Sequence, residues 1–120
     1  MLNFELDQVE DNIDTPYYSL KMAATFSEMI NSDTPTLVDF YAEWCGPCKM
    51  MSPILEKLKN MVGESATIIK VDVDKNPSAA NAYKVQGVPT LIIFRKGEVK
   101  WRQSGVVPAD YLKQMIEENS

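Results

Sequence analysis

At 120 residues, with 45% apolar side chains, the chain has room for one domain around one core. A net charge of −5 argues against nucleic acid as the main partner. No apolar run approaches the ~20 residues a bilayer-spanning helix needs, and the acidic start from Met1 to Asp7 lacks the basic, then apolar, pattern of a secretory signal.

Residues 1–20 read as an acidic leader ahead of a folded domain at 21–120. Leu2, Phe4 and Leu6 alternate like a strand, but Asp7, Glu10, Asp11 and Asp14 dominate the next stretch of chain. The leader is either flexible or a docking segment. Tyr18, Leu20 and Met22 alternate as well, suggesting an edge strand over Tyr17–Met22. Thr25 and Glu28 have the spacing of a capping box, and Phe26, Met29 and Ile30 then share one helix face to about Asn31. Asp33-Thr34-Pro35 ends that helix. From Thr36 to Ala42 the residues are mostly apolar and β-forming, as in a central strand buried on both sides.

A longer helix comes next, from about Lys49 to Val62. Met51, Ile54, Leu55, Leu58, Met61 and Val62 recur on one face, while Lys49, Glu56, Lys57 and Lys59 take the other. Pro47 falls in its first turn, where a missing N–H costs little; Pro53 falls inside and predicts a kink. Gly63 is a natural stop. Residues 66–73 form the next strand. Asn76-Pro77 opens a short helix with Asn76 as cap and Ala79, Ala80 and Tyr83 facing inward. Residues 90–95 and 98–104 are two strands joined by a tight turn at Lys96-Gly97. Pro108 starts a last helix that buries Leu112, Met115 and Ile116. Strands alternating with helices and ending in a hairpin predict an α/β domain with a central mixed sheet flanked by helices.

The chemistry concentrates in Trp44-Cys45-Gly46-Pro47-Cys48-Lys49, which holds the only two cysteines. Both lie where a strand hands over to a helix N-terminus. Unpaired backbone N–H groups and the positive end of the helix dipole favour a thiolate there, and the thiolate is the reactive form. Their offset of three places both side chains on one helix face, within bonding reach. The pair reads as a dithiol that cycles to a disulfide. Two cysteines do not staple a secreted scaffold, so a reducing compartment, the cytoplasm, is expected. With no histidine and no third cysteine, a zinc site within one chain lacks ligands, so no metal is expected.

Asp39 stands between Val38 and Phe40 in the most apolar strand. Burial there raises a carboxyl pKa. That fits either a proton-transfer group or a structural, hydrogen-bonded carboxylate. Lys70, between Ile69 and Val71, reads on its own as a surface lysine with a buried stem.

The hexapeptide, the preceding Val38-Asp39-Phe40 and the distant Gly87-Val88-Pro89-Thr90 together resemble the thioredoxin family over roughly Thr25 to Glu118. The resemblance implies the thioredoxin fold and a protein-disulfide reductase that carries electrons by dithiol–disulfide exchange. It implies that Cys45 attacks as the more exposed thiol and Cys48 resolves. It makes Asp39 the proton-transfer partner of Cys48, with Lys70 beside it. Gly46 and Pro47 shape the turn, and Pro89 is expected cis. Trp44, Gly87, Val88, Thr90, Gly105 and Val106 would form the substrate surface, with Val88 pairing its backbone to an extended peptide. For Trp44 and Val88 the alternative is core packing. No Gly-rich dinucleotide site is present, so no cofactor is expected to bind. Electrons would come from NADPH through a separate thioredoxin reductase. The other expected partners are disulfide-containing proteins, with the chain itself a monomer. Two other classes stay open: an oxidase or isomerase, and an assembly factor whose cysteines are idle. Tyr41 departs from the family, standing where many relatives have a tryptophan. Trp101 is an addition expected to be structural.

Overall fold

The computed structural model describes the backbone of Phe4 and Glu5 and all of residues 26–120. The expected strand over Tyr17–Met22 and the Thr25 cap lie outside the described residues. Four strands build the central mixed sheet: β2 (Thr36–Tyr41), β3 (Thr67–Asp72), β4 (Thr90–Arg95) and β5 (Glu98–Ser104). A two-residue strand, β1 (Phe4–Glu5), extends it at one edge, giving the order β1-β3-β2-β4-β5. β1, β3 and β2 run parallel; β4 is antiparallel to β2 and to β5. The parallel β2–β3 step needs a crossover, which α1 (Gly46–Val62) supplies. Two more helices follow, α2 (Pro77–Ala82) and α3 (Ala109–Glu118), and residues 26–30 are also helical.

Every residue of β2 is buried, as its apolar run predicts for a strand covered on both faces. Alternation then sorts its side chains between two cores. Leu37 joins Ile68, Leu91 and Ile93 under Met51, Leu55 and Leu58 of α1 and Leu112 and Ile116 of α3. Val38 and Phe40 join Ile69, Val71, Ile92 and Phe94 on the opposite side, under Phe26 and Ile30. Phe26, Phe40, Tyr83 and Phe94 meet there edge to face, with centroids 4.9 to 6.4 Å apart. Each fully buried Leu, Ile or Phe contributes ~1.5–3 kcal/mol of transfer free energy, so the two layers hold the sheet rigid between the helices. Trp101 packs against the first core and meets Tyr111 edge to face, a structural role.

Local punctuation agrees with the sequence at most joints. Lys96 and Gly97 both take positive φ, 55° and 80°, as a two-residue hairpin turn requires. α1 continues through Pro53 as one element. Asn76 stands at the N-cap of α2, but its side chain does not cap; its amide turns back to donate to the Asp72 carbonyl at 3.0 Å. Gly63 ends α1 at φ 56°, ψ −124°, a conformation that a Cβ disfavours although the surrounding space is open. Gly63→Ala should therefore lower stability by about 1–2 kcal/mol through backbone strain alone. Urea unfolding reads this as a lower midpoint at an unchanged slope, with disulfide-exchange activity of the folded protein unaffected.

Candidate active site

β2 delivers the chain to Ala42, whose carbonyl accepts the N–H of Cys45 at 3.2 Å. Cys45 is the N-cap of α1, with extended backbone (φ −90°, ψ 115°). Gly46 and Pro47 fill the first two helical positions, where no intrahelical donor is needed. Cys48 occupies the third, and its backbone N–H donates to Cys45 Sγ at 3.1 Å. Sulfur thus takes the acceptor role that a serine or aspartate oxygen has in an ordinary cap. No acidic residue lies in the first turn of α1 to oppose negative charge on that sulfur. The two cysteines form a disulfide across a Cα–Cα distance of 5.3 Å.

Exposure does not separate the two cysteines in this oxidised form: each is 4% exposed. The expectation that Cys45 is the more accessible is corrected accordingly. What distinguishes Cys45 is its cap position and its neighbour, the Val88 carbonyl oxygen 3.7 Å from Sγ. In the reduced form the Cys45 S–H is placed to donate to that oxygen.

The Val88–Pro89 peptide bond is cis. Val88 packs against the cluster of Tyr41, Ala42, Cys45 and Cys48. Around it, Gly87 and Pro89 are tied down through their carbonyls, Gly87 to Thr90 Oγ1 at 2.6 Å and Pro89 to the N–H of Gly105 at 2.8 Å. The Val88 N–H donates to no group among the described residues. Trp44 is 72% exposed and Val106 38%, and Gly46, Pro47 and Gly87 are exposed as well; Gly105 is half-buried. Thr90 does not belong to this surface. It is fully buried, its hydroxyl shared between the Gly87 carbonyl and Ser104 Oγ at 3.1 Å, so it braces the loop from beneath.

Trp44 is held although it is exposed. Its indole N–H donates to Asp74 Oδ2 at 2.9 Å. Asp74 is set by the turn after β3, where buried Asp72 accepts the N–H of Asp74 at 2.8 Å and of Lys75 at 3.3 Å. Neither aspartate stands out in the sequence. The polar run from Asp74 to Pro77 signals a turn, but nothing local ties it to a tryptophan thirty positions earlier.

Asp39 lies on the face of β2 shared with Leu37 and Tyr41, the face α1 covers with Cys48 and Met51 turned inward. It is fully buried, and neither carboxyl oxygen has a hydrogen-bond partner among the described residues. Burial pushes its pKa up to about 7, and the positive charge of Lys70 only partly opposes this. Strand register sets Lys70 directly beside Asp39. Its ammonium sits 4.4 Å over the centre of the Tyr41 ring.

A thiol pair at a helix cap, Val88 of a cis Val88–Pro89 bond packed against it and a buried carboxyl on the same helix-covered face together favour thiol–disulfide exchange. Among the described residues no group of His, Cys, Asp and Glu is arranged to hold a metal ion, and no helix is long and apolar enough to cross a membrane. The family model described as Thioredoxin matches residues 18–118. The chain is 44% identical over 98 residues to a thioredoxin-like protein of Synechocystis sp., covering 81% of this chain and 93% of that one. It is 43% identical over 94 residues to the chloroplastic thioredoxin Y2 of Arabidopsis thaliana, covering 78% of this chain and 56% of the relative. A solved mutant thioredoxin from Halobacterium salinarum NRC-1 superposes with a TM-score of 0.72 at 40% identity, over 79% of this chain and 82% of that one. With the fold and the bonded Cys45–Cys48 pair, these likenesses make the chain a member of the thioredoxin family, a protein-disulfide oxidoreductase that works by dithiol–disulfide exchange.

Proposed function

We propose that this protein works as a reductant of protein disulfides, with Cys45 as the attacking thiolate, Cys48 as the resolving thiol and Asp39 as the proton-transfer group. The observation that carries the reading is the Cys48 N–H directed at Cys45 Sγ at the N-cap of α1. A substrate segment adds to the free edge of Val88 and brings its disulfide to Cys45. The Cys45 thiolate attacks one substrate sulfur; that S–S bond breaks, and the leaving thiolate takes up a proton. A Cys45–substrate disulfide remains. Cys48 gives its proton to the Asp39 carboxylate and attacks Cys45 Sγ, releasing the second substrate thiolate. Asp39 then passes the Cys48 proton to that thiolate, and the first leaving thiolate takes its proton from water; two electrons pass to the substrate, and the Cys45–Cys48 disulfide is left behind.

Lys70 keeps Asp39 partly ionised near neutral pH, so that the carboxylate needed as base is populated. Electrons return through a thioredoxin reductase that draws on NADPH. The working form is a monomer in the cytoplasm; the expected leader over residues 1–20 is not wholly outside the domain, since Phe4 and Glu5 pair with β3 at the edge of its sheet. Insulin reduction with a dithiol as electron source tests the reading. The expected result is precipitation of the reduced insulin chain at a rate proportional to protein concentration. A rate equal to the dithiol alone would overturn it.

A further inference from the structure

β5 is an edge strand with almost every side chain in solvent, yet it holds the substrate-facing loop at both ends. Near the tip, Ser104 bonds Thr90, which bonds the Gly87 carbonyl, and Gly105 donates to the Pro89 carbonyl. Two positions earlier on the same strand face, Arg102 reaches the base of the loop. Its Nη1 donates to the Tyr83 carbonyl and its Nη2 to the Lys84 carbonyl, the latter at 2.9 Å. Tyr83 is the C-cap of α2, and Lys84 takes the left-handed conformation at φ 54°. A non-glycine residue there is held by its surroundings, and the guanidinium fork supplies two charge-assisted bonds to the turn. Beyond it, Val85 bonds back to the Ala80 carbonyl at 2.9 Å, and the chain then runs to Gly87 and Val88 beside Cys45.

We propose that Arg102 is a positioning residue for exchange with protein substrates: its fork on Tyr83 and Lys84 fixes where the Val88 edge stands relative to Cys45. The inference rests on the exchange reading above and extends it to a residue that touches neither sulfur. A protein substrate uses the Val88 edge and feels the loop's position. A small aromatic disulfide meets Cys45 without that edge and does not.

The test compares Arg102→Lys and Arg102→Ala with the wild type on both substrates, together with amide exchange of Val85 to Val88. For the protein disulfide, KM should rise about three- to tenfold with kcat little changed, the signature of a lost docking contact. The rate constant for the small disulfide should stay within about twofold. Loop amides should exchange about tenfold faster while those of β4 are unchanged. Arg102→Lys should behave like Arg102→Ala, because an ammonium cannot span two carbonyls as a fork does. Unchanged KM, equal losses on both substrates, or full rescue by lysine would each overturn the proposal. A wild-type protein inert toward both disulfides would instead sink the exchange reading. The loop amides would then decide the anchor, and unchanged exchange in Arg102→Ala would overturn that too.

Discussion

Cys48→Ser, incubated with a disulfide-containing protein and quenched in acid, should accumulate a covalent adduct that persists until an external thiol is added. Cys45→Ser should accumulate about tenfold less or lower still. Both variants should lose steady-state turnover by several orders of magnitude, since each lacks one half of the exchange. The asymmetry in trapping does not come from exposure, which is 4% for both residues in the disulfide. It comes from the helix cap. Cys45 Sγ receives the backbone N–H of Cys48 and lies at the positive end of α1, and both favour its thiolate. It also faces Val88, the edge at which we propose an incoming segment docks. Cys48 sits a turn further in, facing the sheet side of α1, with no cap donor directed at its own sulfur among the described residues. Once Cys45 has formed its bond to substrate, only Cys48 stands near enough to break it. Serine at that position leaves the adduct without an exit. Non-reducing gels decide the matter. Equal trapping by the two variants would reverse or abolish the assigned order of attack, and no trapping by either would remove protein disulfides from the protein's reactions.

The features legible in the sequence are those that depend on neighbours along the chain. The apolar run of β2, the helical spacing from Met51 to Val62, and the Lys96-Gly97 turn are each decided within a few residues. So is the placement of both cysteines at the strand-to-helix step. Asp39 is conspicuous because a carboxyl inside such a run has few reasons to be there, though its link to Lys70 comes from the family likeness and not from the spacing. The illegible features are long-range or geometric. Asp74 holds Trp44 across thirty positions, and Arg102 holds Lys84 across eighteen. No periodicity reports such pairings. Thr90 resembles a surface residue because it ends a motif that opens exposed at Gly87, but burial deepens along that motif and the strand Thr90 begins is buried from its first residue. Asn76 has the right identity for a cap; the competing Asp72 carbonyl claims its amide instead. The relative exposure of Cys45 and Cys48 depends on how closely Val88 packs, which the chain order alone does not state.

Asp39→Asn should make the protein more stable at pH 8 and slower as a catalyst at pH 7, and the two effects have one origin. In the folded protein Asp39 titrates near 7 because burial disfavours its charge; the ordinary value is 3.8. Between those values the folded state keeps a proton that the unfolded chain has lost. Stability then falls as pH rises, by about 1.4 kcal/mol per unit for one group. The window spans roughly three units, so the cost at pH 8 is about 4 kcal/mol relative to pH 4. Discounting for local relaxation, the gain on substitution should be about 2–4 kcal/mol at pH 8 and close to zero at pH 4. Asparagine is the right probe: its amide is neutral at every pH, and the carboxyl it replaces already lacks a hydrogen-bond partner among the described residues. Urea titrations at pH 4, 6 and 8 read the gain directly, and a gain independent of pH would mean that the charge of Asp39 is not its source. The kinetic half comes from the same proton. With no group to take it from Cys48, release of the mixed disulfide should slow by about tenfold or more near pH 7. The deficit should shrink at high pH, where Cys48 ionises without help. Rapid-mixing measurements on the reduced variant test this across pH 6–9. A rate profile identical to the wild type would take Asp39 out of the mechanism and leave its burial as a cost to stability alone.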